Sequence, residues 1–295
     1  MILLLEALST CQQCAGLLLV IIHYLSPLLT FPTCKINIGL RITGKRSDGF
    51  HNLESCFYPV KWGDILEIIP AADFRFTDSG LSIPGSLDQN LCVKAYNLLK
   101  ADFDLPPVQM HLHKIVPIGA GLGGGSADAA FTLTLLNSRF NVQLSTEQLE
   151  NYARLLGSDC AFFIQNRPLY CTGKGDVFSE TGVDLSGYHI LLVYPNLAIS
   201  TAEAYAGIKP YTTNVSLNDQ LAASIDEWPE IIRNDFEDSL FPKYPLLGQI
   251  KQQLYEAGAV YASMSGSGST VYGIFNAPIT RTNQFSSYRV WEGRL

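Results

Sequence analysis

From residue 31 onward, short apolar runs alternate with stretches of helical periodicity, which predicts a chain of mixed α and β structure. Residues 35–42 (KINIGLRI) alternate in period two. Ile36, Ile38, Leu40 and Ile42 share one face, and Lys35, Asn37 and Arg41 share the other. A strand here sets Lys35 and Asn37 side by side on its polar face. Residues 43–50 carry the Gly and Asp of a turn, and 53–60 and 64–69 read as further strands of a hairpin or meander. Leu91, Ala95, Leu98 and Leu99 make 88–100 an amphipathic helix that Asp88 is placed to cap. Residues 108–114 alternate again as a strand. The Ala- and Leu-rich stretch 126–137 reads as a buried helix, and 145–155 as another, with Ser145 and Gln148 at capping-box spacing. After a strand over 188–194, ended by Pro195, helices are expected around 202–206 and 246–257. A Gly/Ser turn follows at 263–269, then a strand over 270–275 and a closing strand in the final VWEGRL. No tandem repeat interrupts this order.

A chain of 295 residues suits two domains, and the loop before the 188–194 strand sets the boundary near residue 186. Residues 31–186 and 187–295 are the expected halves. Residues 16–31 are strongly apolar, yet no Lys or Arg precedes Lys35, and His23, Tyr24, Ser26 and Pro27 interrupt the run. It is shorter than the roughly 20 residues that cross a bilayer and lacks the flanks of a signal peptide. Residues 1–30 are therefore read as an apolar leader outside the catalytic fold, which a misplaced translation start would explain. No membrane partner is expected. A net charge of −7 argues against a surface that coats nucleic acid. Seven cysteines in no dense framework read as reduced thiols of a cytoplasmic protein, and the CxxC at Cys11 and Cys14 has no second pair with which to hold a metal. His111 and His113 alternate on one strand face without a third ligand nearby.

The strongest chemical signal is the run 117–130 (PIGAGLGGGSADAA), where five glycines in seven positions join a strand to a helix. Without Cβ atoms the backbone can lie against a ligand, and successive N–H groups at a helix start form an anion cradle. The commoner phosphate loops do not match. No acidic residue ends a strand about 20 residues later, as a dinucleotide fold requires; no Lys follows the glycines, as a Walker loop requires; and HRD and DFG elements are missing.

This loop resembles the central phosphate-binding motif of the galactokinase, homoserine kinase, mevalonate kinase and phosphomevalonate kinase (GHMP) superfamily. Three further segments share the resemblance: 32–40 (PTCKINIGL) is similar to its first strand with a reactive Lys, 157–163 (GSDCAFF) to the segment with its catalytic Asp, and 263–275 (SMSGSGSTVYGIF) to its third glycine motif. The resemblance covers the chain from about residue 31 to the end. It implies an α+β, two-domain fold, with an N-terminal domain like the second domain of ribosomal protein S5 and a C-terminal ferredoxin-like α/β domain. Residues 44–54 (GKRSDGFHNLE) are most similar to the branch whose acceptor carries a cytidine diphosphate.

The activity so implied is ATP-dependent phosphorylation of the 2-hydroxyl of 4-diphosphocytidyl-2-C-methyl-D-erythritol in non-mevalonate isoprenoid precursor biosynthesis. Lys35 and Asp159 are the implied catalytic pair, with Asn37 holding the alcohol. Phe50, where the branch usually has Tyr, would stack on the cytosine, His51 would hydrogen-bond its edge, and Tyr205 would approach it from the second half. Cys34 stands where Ala is more usual. Pro117, Gly119, Gly121, Leu122, Gly123, Gly124, Gly125, Ser126 and Ala127 would bind ATP phosphates with Gly266 and Gly268, and Ser126 is the candidate Mg2+ ligand. ATP and Mg2+ are the expected cofactors, the partners are small molecules, and a monomer or weak homodimer is expected. Asn90 and Lys94 are weaker candidates for the nucleoside side. Taken alone, Asp159 also suits a helix N-cap, and Asp128 suits a helix dipole. The alternatives are a related kinase acting on mevalonate, homoserine or a sugar, and a nucleotide-binding protein of this fold without catalysis.

Overall fold

The computed structural model describes residues 29–208, 215–280 and 282–295. Residues 1–28 of the expected leader lie outside the described residues. Leu29 and Thr30, which the sequence placed in that leader, instead form strand β1 (Leu29–Thr30). The chain continues through β2 (Thr33–Lys45), β3 (His51–Gly63), β4 (Ile65–Pro70), β5 (Arg75–Gly80), α1 (Leu91–Asp102), β6 (Val108–Lys114) and α2 (Gly124–Arg139). Then come α3 (Thr146–Leu156), α4 (Phe162–Gln165), β7 (Leu169–Thr172), β8 (Val177–Ser179), β9 (His189–Tyr194) and α5 (Thr201–Ala206). The chain closes with α6 (Leu217–Leu221), α7 (Trp228–Ile231), α8 (Phe236–Lys243), α9 (Pro245–Glu256), β10 (Tyr261–Met264), β11 (Val271–Phe275) and β12 (Arg289–Arg294).

Three four-stranded sheets result, in the orders β1-β4-β6-β5, β2-β3-β7-β8 and β10-β11-β9-β12. Among the described residues the pairings of these strands are antiparallel except β5 with β6. Period-two alternation explains the first sheet. Leu66, Ile68, Met110 and Leu112 point inward and bury against Leu99 of α1 and Leu133 and Leu136 of α2. On its other face His111 bonds the hydroxyls of Thr77 and Ser79, and Ser79 also meets His113. Helix α1 is capped by Asn90, whose side chain accepts from the Cys92 N–H at 2.9 Å, and not by Asp88 as the sequence suggested. The capping box at Ser145 forms as expected.

Strand β2 departs from the simple alternation, because its polar face is buried as well as its apolar one. Lys35, Asn37 and Arg41 are all buried. On the apolar face, Cys34, Ile36 and Ile38 share a core with Ile190, Leu192, Tyr261, Tyr272 and Ile274 of β9, β10 and β11. The halves before and after residue 186 therefore meet through one continuous apolar layer. The segment between α7 and α8 adds a clamp: the Leu40 N–H donates to the Arg233 carbonyl and the Asp235 N–H to the Leu40 carbonyl, at 2.9 and 2.8 Å.

Candidate active site

The glycine run leaves β6, crosses the molecule and enters α2 at Gly124. Helix α2 starts from Gly123 in the left-handed region without a side-chain cap, so no side chain screens its first N–H groups. Gly121, at φ +78°, approaches the C-terminal half so closely that a Cβ there would lie 2.0 Å from the Ser265 carbonyl oxygen. Only glycine fits this crossing. The Ser265 hydroxyl donates to the Gly121 carbonyl at 2.9 Å, and the Thr270 N–H to the Ala120 carbonyl at 3.2 Å. The third glycine turn is thus fastened onto the phosphate loop. Asn234 holds that turn in place by donating to the Met264 and Gly266 carbonyls at 2.7 and 2.8 Å.

These segments enclose a cavity of about 470 Å³. On its floor the Lys35 backbone N–H donates to the Leu122 carbonyl at 2.9 Å, fixing β2 beneath the loop. The Lys35 ammonium donates to Asn37 Oδ1 at 2.5 Å and stands 3.5 Å from both the Gly121 carbonyl and Asp159 Oδ2. It also lies 4.6 Å from the centre of the Phe57 ring. Because an ammonium can only donate, it fixes the amide oxygen of Asn37 toward itself. The Asn37 NH2 donates the other way, to Ser55 Oγ at 2.9 Å, and Ser55 in turn donates to the Gly39 carbonyl at 2.6 Å. Asp159 is 30% exposed where Lys35 is 4% exposed, so the carboxylate is the member of the pair that opens to the cavity. The following helix α4 has Ala161 as its N-cap, so Asp159 does not cap it.

At the other end, the His51 ring stacks on Tyr205, 4.8 Å between centres and 22° from parallel, and Tyr205 meets Phe236 edge-on at 4.9 Å. Burial and the nearby Asp159 push the Tyr205 hydroxyl up to about 12, so it stays protonated. Tyr205 lines the cavity. Phe50 is 55% exposed and lies against Lys174, whose ammonium is 5.2 Å from its ring centre.

The structure brings Lys35, Asn37, Asp159, Tyr205, Pro117, Gly119, Gly121, Gly123, Gly124, Gly125, Ser126 and Gly266 to one cavity. Leu122 and Ala127 are buried in apolar clusters, so only their backbones are turned to polar work. Ser55, Asn234, Ser265 and Lys174 were not singled out from the sequence. Ser265 stands inside the third glycine motif and could have been; the others lie at no recognisable spacing. Among the described residues no group of three His, Cys, Asp or Glu could hold a metal unaided. A Mg2+ carried on a polyphosphate needs only one or two protein oxygens, and the Ser126 hydroxyl and Asp159 carboxylate at the cavity wall fit that demand.

Beneath the loop lies a buried charge trio. The Lys114 ammonium bonds Asp64, and Asp128 at 2.7 Å. Asp64 also accepts from the Ile115 and Val116 N–H groups at 2.5 and 2.8 Å, where β6 turns into the loop. Asp128 is therefore an interior partner of Lys114 and not a surface residue favoured by the helix dipole. Burial pushes its carboxyl up to about 7, Lys114 pulling the other way and Asp64 adding to the rise. Its Oδ1 has no hydrogen-bond partner. Lys114, which burial alone would lower, is raised by the two carboxylates.

Residues 90–167 match the profile of the GHMP kinases N terminal domain, and residues 218–283 that of the GHMP kinases C terminal domain. The 4-diphosphocytidyl-2-C-methyl-D-erythritol kinase of Cytophaga hutchinsonii is 52% identical over 250 residues, covering 84% of this chain and 93% of the relative. The kinase of the same name from Bacteroides thetaiotaomicron is 50% identical over 274 residues, 91% of this chain and 100% of the relative. Among solved structures, a 4-(cytidine 5'-diphospho)-2C-methyl-D-erythritol kinase superposes with a TM-score of 0.75 at 26% identity, covering 90% of this chain and 98% of that one. The mevalonate kinase of Methanococcus jannaschii superposes with a TM-score of 0.66 at 12% identity, covering 90% of this chain and 98% of that one, and so shares the fold. Among the described residues no helix is long and apolar enough to cross a membrane.

Proposed function

The chain belongs to the 4-diphosphocytidyl-2-C-methyl-D-erythritol kinases, within the GHMP kinases, and on that footing we propose how its residues move a phosphoryl group from ATP to the acceptor's 2-hydroxyl. The observation that carries the reading is the Lys35, Asn37 and Asp159 group set directly under the glycine loop, at 2.5 and 3.5 Å from one another through the Lys35 ammonium.

The ATP phosphates lie on the bare N–H groups of residues 119–126 at the start of α2. Asp159, the exposed partner, accepts the proton of the 2-hydroxyl as its oxygen attacks the γ-phosphorus; the bond from that phosphorus to the bridging oxygen breaks, and ADP leaves. Lys35 stabilises negative charge on the attacking oxygen and on the transferring group. Asn37, held by Ser55, keeps the ammonium in place and orients the alcohol. Mg2+, when bound on the phosphates beside Ser126 and Asp159, neutralises their oxygens. Phe50, His51 and Tyr205 hold the cytosine, the aromatic faces supplying stacking and His51 a hydrogen bond. The reaction so read is a step of non-mevalonate isoprenoid precursor biosynthesis, carried out in the cytoplasm by a monomer or weak homodimer.

The test is ADP release measured over a panel of alcohols: the cytidine-diphosphate-linked methylerythritol, mevalonate, homoserine and a hexose. Turnover is expected with the first alone. A folded protein that turned over one of the others and ignored the first would remove this reading, and ATP binding without turnover of any acceptor would mark a binding protein.

A further inference from the structure

The acceptor places two demands far apart on one molecule: a base at one end and the reacting hydroxyl at the other, with a doubly charged diphosphate between them. A diphosphate taken into a cavity calls for a cation, since its charge is otherwise desolvated without compensation. Among the described residues the charged side chains lining this cavity are Lys35, Asp159 and Lys174. Lys35, held by Asn37 and beside Asp159, is assigned above to the reacting hydroxyl and the transferring group. Arg46, close in sequence to Phe50, is taken up by Asp48 and Asn52.

Lys174 sits on the tight turn between β7 and β8. The turn is anchored: the Leu53 N–H of β3 donates to the Gly173 carbonyl at 2.8 Å, and Asp176 Oδ1 accepts from the Lys174 N–H at 3.2 Å. The turn lies between Phe50 and Asp159. The Lys174 ammonium is 5.2 Å from the Phe50 ring centre, and a Cβ built on the next residue, Gly175, would lie 3.5 Å from Asp159 Oδ1. Among the described residues its one ion pair, to Asp176, is long at 3.9 Å, and the side chain is 39% exposed, so the ammonium keeps donors to give. We propose that Lys174 binds the diphosphate of the acceptor and so sets the span between the base and the reacting hydroxyl. This rests on the acceptor reading given above.

Cytidine and cytidine 5'-diphosphate serve as probes, titrated calorimetrically into the full chain with a non-hydrolysable ATP analogue saturating the nucleotide side. The diphosphate is expected to bind the wild type about tenfold more tightly than the nucleoside, the size of one partly exposed charged hydrogen bond. In Lys174→Gln that advantage collapses, while the affinities for cytidine and for the ATP analogue hold; Lys174→Arg keeps most of it, and added salt narrows it in the wild type. Two results overturn the proposal for Lys174 alone: a diphosphate advantage that survives in Lys174→Gln, or a loss in that variant of affinity for the ATP analogue instead. A wild type that binds neither probe overturns the acceptor reading, and the proposal with it.

Discussion

Burial separates the two charged residues proposed for the reacting centre. Lys35 is shut between β2, the phosphate loop and the Phe57 ring, with its donors directed by Asn37 and the Gly121 carbonyl. Asp159 faces the cavity and keeps only a long contact with it, at 3.5 Å. A proton acceptor must be reachable by substrate, and a charge stabiliser gains from being dry, so the arrangement suits the roles assigned. Asp159→Asn keeps the shape and removes the base. Its kcat should fall by about 10²- to 10⁴-fold, with the KM for ATP changed by no more than a small factor, as read from steady-state ADP production. An undiminished kcat would end the role proposed for Asp159. Cys34 is fully buried, its thiol held up by desolvation, and acts as a packing residue behind Lys35.

The phosphate loop owes its position to elements on both of its sides. From above, the turn carrying Ser265 is bonded to Gly121. From below, Asp64 grips the Ile115 and Val116 N–H groups and is itself held by Lys114. Lys114→Met leaves two buried carboxylates without a cation and should cost about 3–5 kcal/mol in chemical denaturation. Asp128→Asn acts in the opposite direction. The folded state holds the Asp128 carboxyl near 7, well above the ordinary 3.8, so between about pH 4 and pH 7 it binds more protons than the unfolded chain. Stability from this group therefore falls as pH rises through that window and is level above it. The variant loses this dependence, and its Tm should exceed the parent's by about 2–4 °C at pH 8 and match it at pH 4; a variant less stable at pH 8 would contradict the assignment. Little of this trio was legible beforehand, because Asp64, Lys114 and Asp128 come from two strand ends and a helix with no fixed spacing. Period-two alternation did reveal β2 and β6, and the capping box revealed α3. Helices α6, α7 and α8 escaped: α6 spans five residues, and α7 and α8 carry Pro229 and Pro242 where periodicity should show. Lys35 and Asn37 were legible as neighbours on one strand face, but a period-two pattern cannot tell a buried polar face from a wet one.

At the scale of the whole molecule the two halves are one object in packing terms. Ile36 and Ile38 of β2 share their core with Ile190 and Leu192 of β9 and with Tyr261 and Tyr272. The boundary near residue 186, read from a loop, marks where the chain passes between sheets, while the assembly of those sheets depends on contacts that no local pattern encodes. Thermal unfolding followed by circular dichroism should show a single transition. Residues 29–186 and 187–295, expressed separately, should each lack a cooperative melt, because division exposes the shared apolar layer. Two halves that each melted sharply alone would refute this. The Gly121 crossing has a consequence in time as well as in space. Gly121 and Ser265 are 144 positions apart, so the phosphate loop emerges from synthesis long before the turn that completes its upper wall. With N-terminal segments folding first, the nascent chain carries the glycine loop without that wall while the intervening residues are made. That wall closes only once residues 265–270 have been made, so a chain released from a stalled ribosome before that point is expected to lack the Ser265 and Thr270 bonds that fasten the glycine loop.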